Sequence, residues 1–271
     1  MQSRKGFRNL VLLICISLLA VGCSNIESIK GQTQVLGKSE SKNIELNISA
    51  AASLKEAMAK LEEEYKKENE SIKLVVNFGA SGSLQQQIEQ GAPCDLFISA
   101  GKSQMDVLNE RGLLEKDTYK NLVENHLVLI TEKDSKITSI NDLTSDKIKH
   151  IAVGEAKSVP AGKYADEVLT NLNIKDDISD KLVFAKDVKE VLAWTQSGNA
   201  EAGFVYYSDA INSDQVKIVE VTPQDSHSPI TYPVAVIKGS KQVEAAKRFE
   251  EFLISDKAQN ILKEFGYKSA K

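Results

Sequence analysis

The feature that most constrains this chain is an alternation. From residue 45 onward, short runs rich in β-branched residues take turns with amphipathic windows, the order expected of βα units and a largely parallel sheet. Strands are predicted at Glu45–Ile48, Lys73–Phe78, Asp95–Ile98, His126–Thr131, Ile151–Val153, Leu182–Ala185, Gly203–Tyr206, Val216–Val219 and Tyr232–Ile237. Helical periodicity fills the gaps. Leu54, Ala57, Met58, Leu61 and Tyr65 make one apolar stripe on Ser53–Glu68, while Glu62, Glu63, Lys66 and Lys67 face water. Ala246, Phe249, Phe252 and Leu253 make a second stripe, and Ala258, Ile261, Leu262 and Phe265 a third; both read as core. The fold class is therefore α/β with mainly parallel sheets. At 271 residues the chain suits one large α/β unit or two domains. Two segments read as crossings between domains. One is Val123–His126; the other is Val221–Pro233, which holds Pro223, Pro229 and Pro233 and so cannot be helix interior.

The N-terminal residues describe an address. Arg4, Lys5 and Arg8 precede the apolar run Leu10–Val21, which is shorter than the ~20 residues of a membrane span and fits a secretory signal over residues 1–22. Leu18 to Cys23 resembles the bacterial lipobox, with Ala20 where Leu is commoner, so Cys23 is the expected lipidation site. Residues 23–42, rich in Ser, Gln, Lys, Gly and Glu, read as a tether to the body of the protein. The expected location is the extracytoplasmic side of the cell membrane, held there by lipid. With Cys15 lost and Cys23 acylated, Cys94 is left alone, and a thiol just before Leu96-Phe97-Ile98 reads as a small buried residue.

Several chemistries lack support. Lys plus Arg number 34 against 38 Asp plus Glu, interleaved along the chain, so no basic face for nucleic acid is expected. His126, His150 and His227 are far apart, with none beside a cysteine, which argues against a zinc site. Gly79-Ala-Ser-Gly-Ser83 lacks the final glycine of a nucleophile elbow, and Gly154–Lys163 has the wrong glycine spacing for a phosphate loop. No motif places two carboxylates as an acid and base pair, and the chain is not expected to be an enzyme.

Neutral donors at helix starts stand out instead. Ala50-Ala-Ala-Ser53, Gly79-Ala-Ser81-Gly, Val159-Pro-Ala161-Gly and Lys186-Asp187-Val188 each fall between a strand and a helix. In a parallel sheet these junctions share the carboxyl-end crevice. There the first turn of each helix offers unpaired N–H groups and the positive end of its dipole. Taken singly, Ser53 or Ser81 is simply a helix N-cap and Pro160 a first-turn proline.

The segments Ala50–Met58, Phe78–Leu84, Gly91–Ala100, Val159–Ala165, Asp187-Val188, Phe204–Ala210 and Tyr232–Val236 closely resemble, in order, the substrate-binding component of the bacterial molybdate ABC importer. The resemblance spans nearly all of residues 44–267. It implies a two-domain hinged type II periplasmic-binding-protein fold with an interdomain ligand cleft. The domains would be 44–125 with 231–271, then 126–222, with 223–230 as the return crossing. It further implies that Ser53 and Ser81 give hydroxyl and N–H donors to molybdate or tungstate, Ala161 and Val188 give backbone N–H groups, and Tyr206 its hydroxyl. No cofactor is implied, and no residue would bind the metal directly. The implied partners are the importer's permease and, through lipid, the membrane, with the protein itself a monomer. Two departures appear: Gly82 where a second serine often follows Ser81, and Tyr207 where many relatives have a small residue. Tyr206-Tyr207 also supports a rival, since ferric-ion binders of similar architecture use paired tyrosines as phenolate ligands. A sulfate-type oxyanion is a further alternative. A donor-only site matches a dianion without a proton, so hydrogen phosphate should be refused and sulfate, being smaller, should fit loosely. Trp194 falls in the helix after Val188, where its emission is a possible reporter of closure beside a simple packing role.

Overall fold

The computed structural model describes residues 43–270. The expected leader, the lipidation site Cys23 and the tether lie outside the described residues. Strands are β1 (Ile44–Ala51), β2 (Ile72–Gly79), β3 (Leu96–Ile98), β4 (Lys120–Glu124), β5 (Leu127–Glu132), β6 (Ile151–Gly154), β7 (Leu182–Ala185), β8 (Ala202–Tyr206), β9 (Val216–Val221), β10 (Thr231–Val236) and β11 (Lys268–Ser269). Helices are α1 (Lys55–Lys66), α2 (Ser81–Glu89), α3 (Lys102–Glu110), α4 (Pro160–Asn171), α5 (Val188–Gln196), α6 (Tyr207–Ile211), α7 (Val243–Ile254) and α8 (Asp256–Glu264). The strands read from the sequence are present within a few residues at either end. β4 and β11 are additional. In β4 only Leu122 and Val123 are buried, so the segment lacks the alternation that marks a strand and reads as a polar crossing.

Two sheets form. The first runs β11-β4-β10-β3-β1-β2 and the second β7-β6-β8-β5-β9. Each carries its own helices, and each sheet with its helices is called a lobe below. The sheets are mixed, where the alternation predicted mainly parallel ones. β1, β2 and β3 are parallel, as are β6, β7 and β8, but β10 lies antiparallel between β3 and β4, and β5 antiparallel between β8 and β9. The reason is connectivity. β5 and β10 are the strands that arrive from the other lobe, through Asn125-His126 and through residues 222–230, without the helical crossover that forces neighbours to be parallel. The two crossings touch: Asn125 N donates to Ile230 O at 3.1 Å.

Packing follows the periodicity. Ala57, Met58, Leu61 and Tyr65 of α1 are buried, as are Ala246, Phe249 and Leu253 of α7 and Ala258, Ile261 and Leu262 of α8. Tyr65 meets Phe249 edge-on with ring centroids 4.9 Å apart, joining α1 to α7. Each such large side chain contributes about 1.5 to 3 kcal/mol on leaving water. Ser255 closes the gap between α7 and α8 as an N-cap, its hydroxyl accepting from Ala258 N at 3.3 Å. Cys94 is buried, its thiol donating to Leu96 O at 3.3 Å, and burial raises its pKa.

Candidate functional site

Strand register brings the helix starts together. Ala51 pairs with Gly79 at the ends of β1 and β2, so the 3-10 turn Ala52–Leu54 and helix α2 begin side by side. In the second sheet Gly154 pairs with Ala185, which sets the starts of α4 and α5 next to each other in the same way. These four starts surround one small, tightly closed pocket. The pocket brings together Ser53, Ser81, Ala161, Val188 and Tyr206, none more than 4% exposed. Ala51, Gly79, Ala80 and Ala100 keep the wall low, so a compact ligand meets backbone directly.

Hydrogen bonding decides what this pocket presents. In the first turn of α4, Pro160 has no N–H and Gly162 N donates to Val159 O at 2.9 Å, which leaves Ala161 N as the outward donor. In α5, Asp187 is the N-cap and accepts from Glu190 N at 3.0 Å, leaving Val188 N–H without an intrahelical acceptor. Ser81 Oγ accepts from Ala100 N at 2.9 Å, so its own hydrogen is available to a ligand. Ser53 Oγ lies 2.9 Å from Tyr232 Oη, and Ser53 O accepts from Tyr267 Oη at 2.8 Å. Tyr206 Oη donates to Ala100 O across a long 3.3 Å, a weak bond that a charged acceptor would displace. Burial, followed by nearby Tyr164 and Asp209, pushes the Tyr206 phenol well above its ordinary pKa, so it is a neutral O–H donor. Among the described residues no Lys, Arg or His lines the pocket. Its one charged lining residue, Asp187, has an oxygen engaged in its cap.

The lobes meet around this pocket. Gly82 N of α2 donates to Ser158 O of the second lobe at 2.9 Å. A Cβ at residue 82 would stand 2.7 Å from that oxygen, so the glycine read from the sequence as a lost hydroxyl is a point of close approach. Lys189 bridges Glu56 of the first lobe at 2.6 Å and Asp209 of the second at 2.7 Å. Burial opposes the Lys189 charge, but Asp209 and Glu56 outweigh it and raise the ammonium's pKa. Burial also holds Asp209 up at about 6, against the pull of Lys189.

Tyr207 does not join Tyr206. Its ring lies against Gly266, where a Cβ would come within 3.2 Å of Tyr207 Cδ1 and 2.6 Å of Ile211 Cδ1, and it is absent from the pocket wall. The two phenols diverge because β8 ends at Tyr206 and α6 begins at Tyr207. A paired-phenolate ferric site therefore has no geometric basis here. Sequence reasoning missed Asn125, Tyr232, Tyr267 and the Lys189 bridge. Tyr232 read as a strand residue within a resembling segment but with no role at the site, since its partner Ser53 lies 179 positions away.

Two mixed-sheet lobes joined by paired crossings, and closed over a pocket of helix N-termini, define a hinged two-lobe solute-binding protein. The chain belongs to the bacterial extracellular solute-binding protein family, whose profile matches residues 46–268. It is 38% identical over 265 residues to YvgL of Bacillus subtilis, named as a candidate ABC transporter substrate-binding lipoprotein, covering 97% of this chain and 98% of that one. It is 38% identical over 237 residues to the molybdate-binding protein ModA of Haemophilus influenzae, covering 86% of this chain and 93% of that one. A solved substrate-binding domain from Clostridium difficile, ascribed to a molybdenum ABC transporter, is 70% identical. It matches with a TM-score of 0.67 over 84% of this chain and 100% of that one.

Proposed function

We propose that this protein captures molybdate, and tungstate with it, outside the cytoplasm and delivers it to an ABC importer. One observation carries the reading: the pocket offers hydroxyl and amide hydrogens and, among the described residues, no cation. Such a wall pairs with a dianion that has acceptors only. Hydrogen phosphate brings an O–H into a wall of donors whose one carboxylate, Asp187, is tied into its helix cap, and an O–H left without a partner costs about 1 to 3 kcal/mol. Sulfate has the charge and shape of molybdate but is smaller, so its hydrogen bonds to a closed cavity stretch and weaken. The molybdate-binding name of the Haemophilus relative and the molybdenum transporter ascribed to the Clostridium domain support the same ligand. The lipoprotein name of the Bacillus relative supports anchoring at Cys23, which would confine the protein to the membrane surface and raise its effective concentration near the permease.

Binding works through closure. Ser53 and Ser81 belong to one lobe, Ala161, Val188 and Tyr206 to the other, so the anion completes its shell only when the lobes meet. Ligand then shifts the hinge equilibrium by its differential affinity for the closed form. The protein is expected to act as a monomer, without a cofactor. Calorimetric titration with molybdate, tungstate, sulfate and phosphate tests the proposal. Tight binding of the first two with weak response to the others is expected; equal affinity for sulfate or phosphate, or iron in the purified protein, would overturn it.

A further inference from the structure

Ser53 is held by groups that come from the hinge. Asn125 sits in the first crossing between the lobes, and its Oδ1 accepts from His126 N at 2.9 Å, which fixes the amide so that Nδ2 is the donor. Nδ2 reaches Ser208 Oγ at 2.9 Å in the second lobe and Tyr232 Oη at 3.4 Å in the first. Tyr232 is 0% exposed, so its hydroxyl must find its acceptor inside the protein. Ser53 Oγ lies 2.9 Å from Tyr232 Oη, and with the Asn125 NH₂ group donating to Tyr232, Ser53 Oγ is the acceptor within hydrogen-bond distance for the tyrosine hydrogen. Ser53 Oγ is then engaged as an acceptor, and its hydrogen is left to the pocket. In the reverse arrangement, with Ser53 as donor, Tyr232 would have to turn its hydrogen away from Ser53, 2.9 Å off, toward the neighbouring Tyr206 hydroxyl, since the Asn125 NH₂ group cannot accept.

We propose that Asn125 and Tyr232 are positioning residues: they form a one-way relay that locks the Ser53 hydroxyl as a donor, and thereby help the pocket reject oxyanions that carry a proton. The inference rests on the oxyanion reading above. Without the relay, Ser53 is free to rotate and accept a hydrogen bond, so a protonated anion loses less than it does in the native pocket.

A double-mutant cycle read by calorimetry tests this. Tyr232→Phe should weaken molybdate binding about tenfold in the otherwise native chain, but less than about twofold in the Ser53→Ala background, because the relay acts only through that hydroxyl. The gap between the dissociation constants for hydrogen phosphate and molybdate should narrow in Tyr232→Phe. An equal loss in both backgrounds marks Tyr232 as packing and overturns the relay, as does no loss at all. If thermal unfolding shows that Tyr232→Phe is not folded, Asn125→Ala replaces it in the same cycle with the same expected pattern. Native protein that fails to bind molybdate would refute the oxyanion reading itself; native binding with additive losses would refute only the relay.

Discussion

Replacing Gly82 by alanine should separate closure from folding. The added Cβ would stand 2.7 Å from Ser158 O and 2.8 Å from Ser158 Cα, both backbone atoms of the opposite lobe that cannot rotate aside. Ordinary carbon contacts lie at about 3.5 to 4.0 Å, so the lobes must part by several tenths of an ångström or more. Parting strains or breaks the bond from Gly82 N to Ser158 O, now 2.9 Å. That bond is worth about 0.5 to 1.5 kcal/mol, and residual crowding costs about 1 to 3 kcal/mol more. The penalty exists only in the closed form and passes in full into binding. Molybdate affinity should therefore fall about 10-fold to 2,000-fold. Residue 82 lies in the first turn of α2, where alanine is at least as good a helix former as glycine, so the ligand-free protein should melt no lower than the parent. Calorimetry and thermal unfolding on the same preparation check both halves. Affinity within about threefold of native, or a ligand-free melting point lowered in step with binding, would refute the reasoning.

Ser81→Ala removes a hydroxyl that already accepts from Ala100 N and has its hydrogen free for the ligand, so molybdate binding should weaken by about 1.5 to 3 kcal/mol in calorimetry; unchanged affinity would remove Ser81 from the site. Glu56→Gln loses one arm of the Lys189 bridge, with Glu56 44% exposed, so affinity should drop less than about fivefold and the difference should vanish near 1 M salt; a larger, salt-insensitive loss would contradict the bridge as drawn. Asp209 has its folded pKa raised from 3.8 to about 6 by burial, so its favourable contribution is complete below its unfolded value and lost as pH rises through 6. Relative to Asp209→Asn, the native protein should thus lose up to about 3 kcal/mol in urea melts between about pH 4 and pH 7; parallel profiles would count against it.

What the sequence made legible were features carried by neighbours in the chain. The α1 stripe from Leu54 to Tyr65 needs only its own spacing to declare a buried face, and Ser53, Ser81, Ala161 and Val188 declare themselves by sitting where strands give way to helices. Features that depend on distant pairing stayed hidden. β4 has only two buried residues, and its place beside β10 depends on a strand that returns 107 positions after Val123–Glu124 ends. Strand direction was equally obscure, because β5 and β10 enter their sheets from the opposite lobe. Gly82 looked like a missing hydroxyl until Ser158 appeared against it. Tyr207 looked like half of a phenolate pair until Gly266 gave it another neighbour. The Asn125, Tyr232 and Ser53 chain joins three segments with no common motif, and only the folded arrangement brings them into line.

The central claim is that a metal oxyanion is held by uncharged donors from both lobes. A crystal structure of the protein with molybdate, phased or checked by the metal's anomalous scattering, tests it most directly. The account predicts a single anomalous peak between the lobes, with its oxygens about 2.7 to 3.2 Å from the Ser53 and Ser81 hydroxyls, the Ala161 and Val188 amides and the Tyr206 phenol. A peak elsewhere, or a lysine, arginine or second metal ion within reach of that anion, would contradict it.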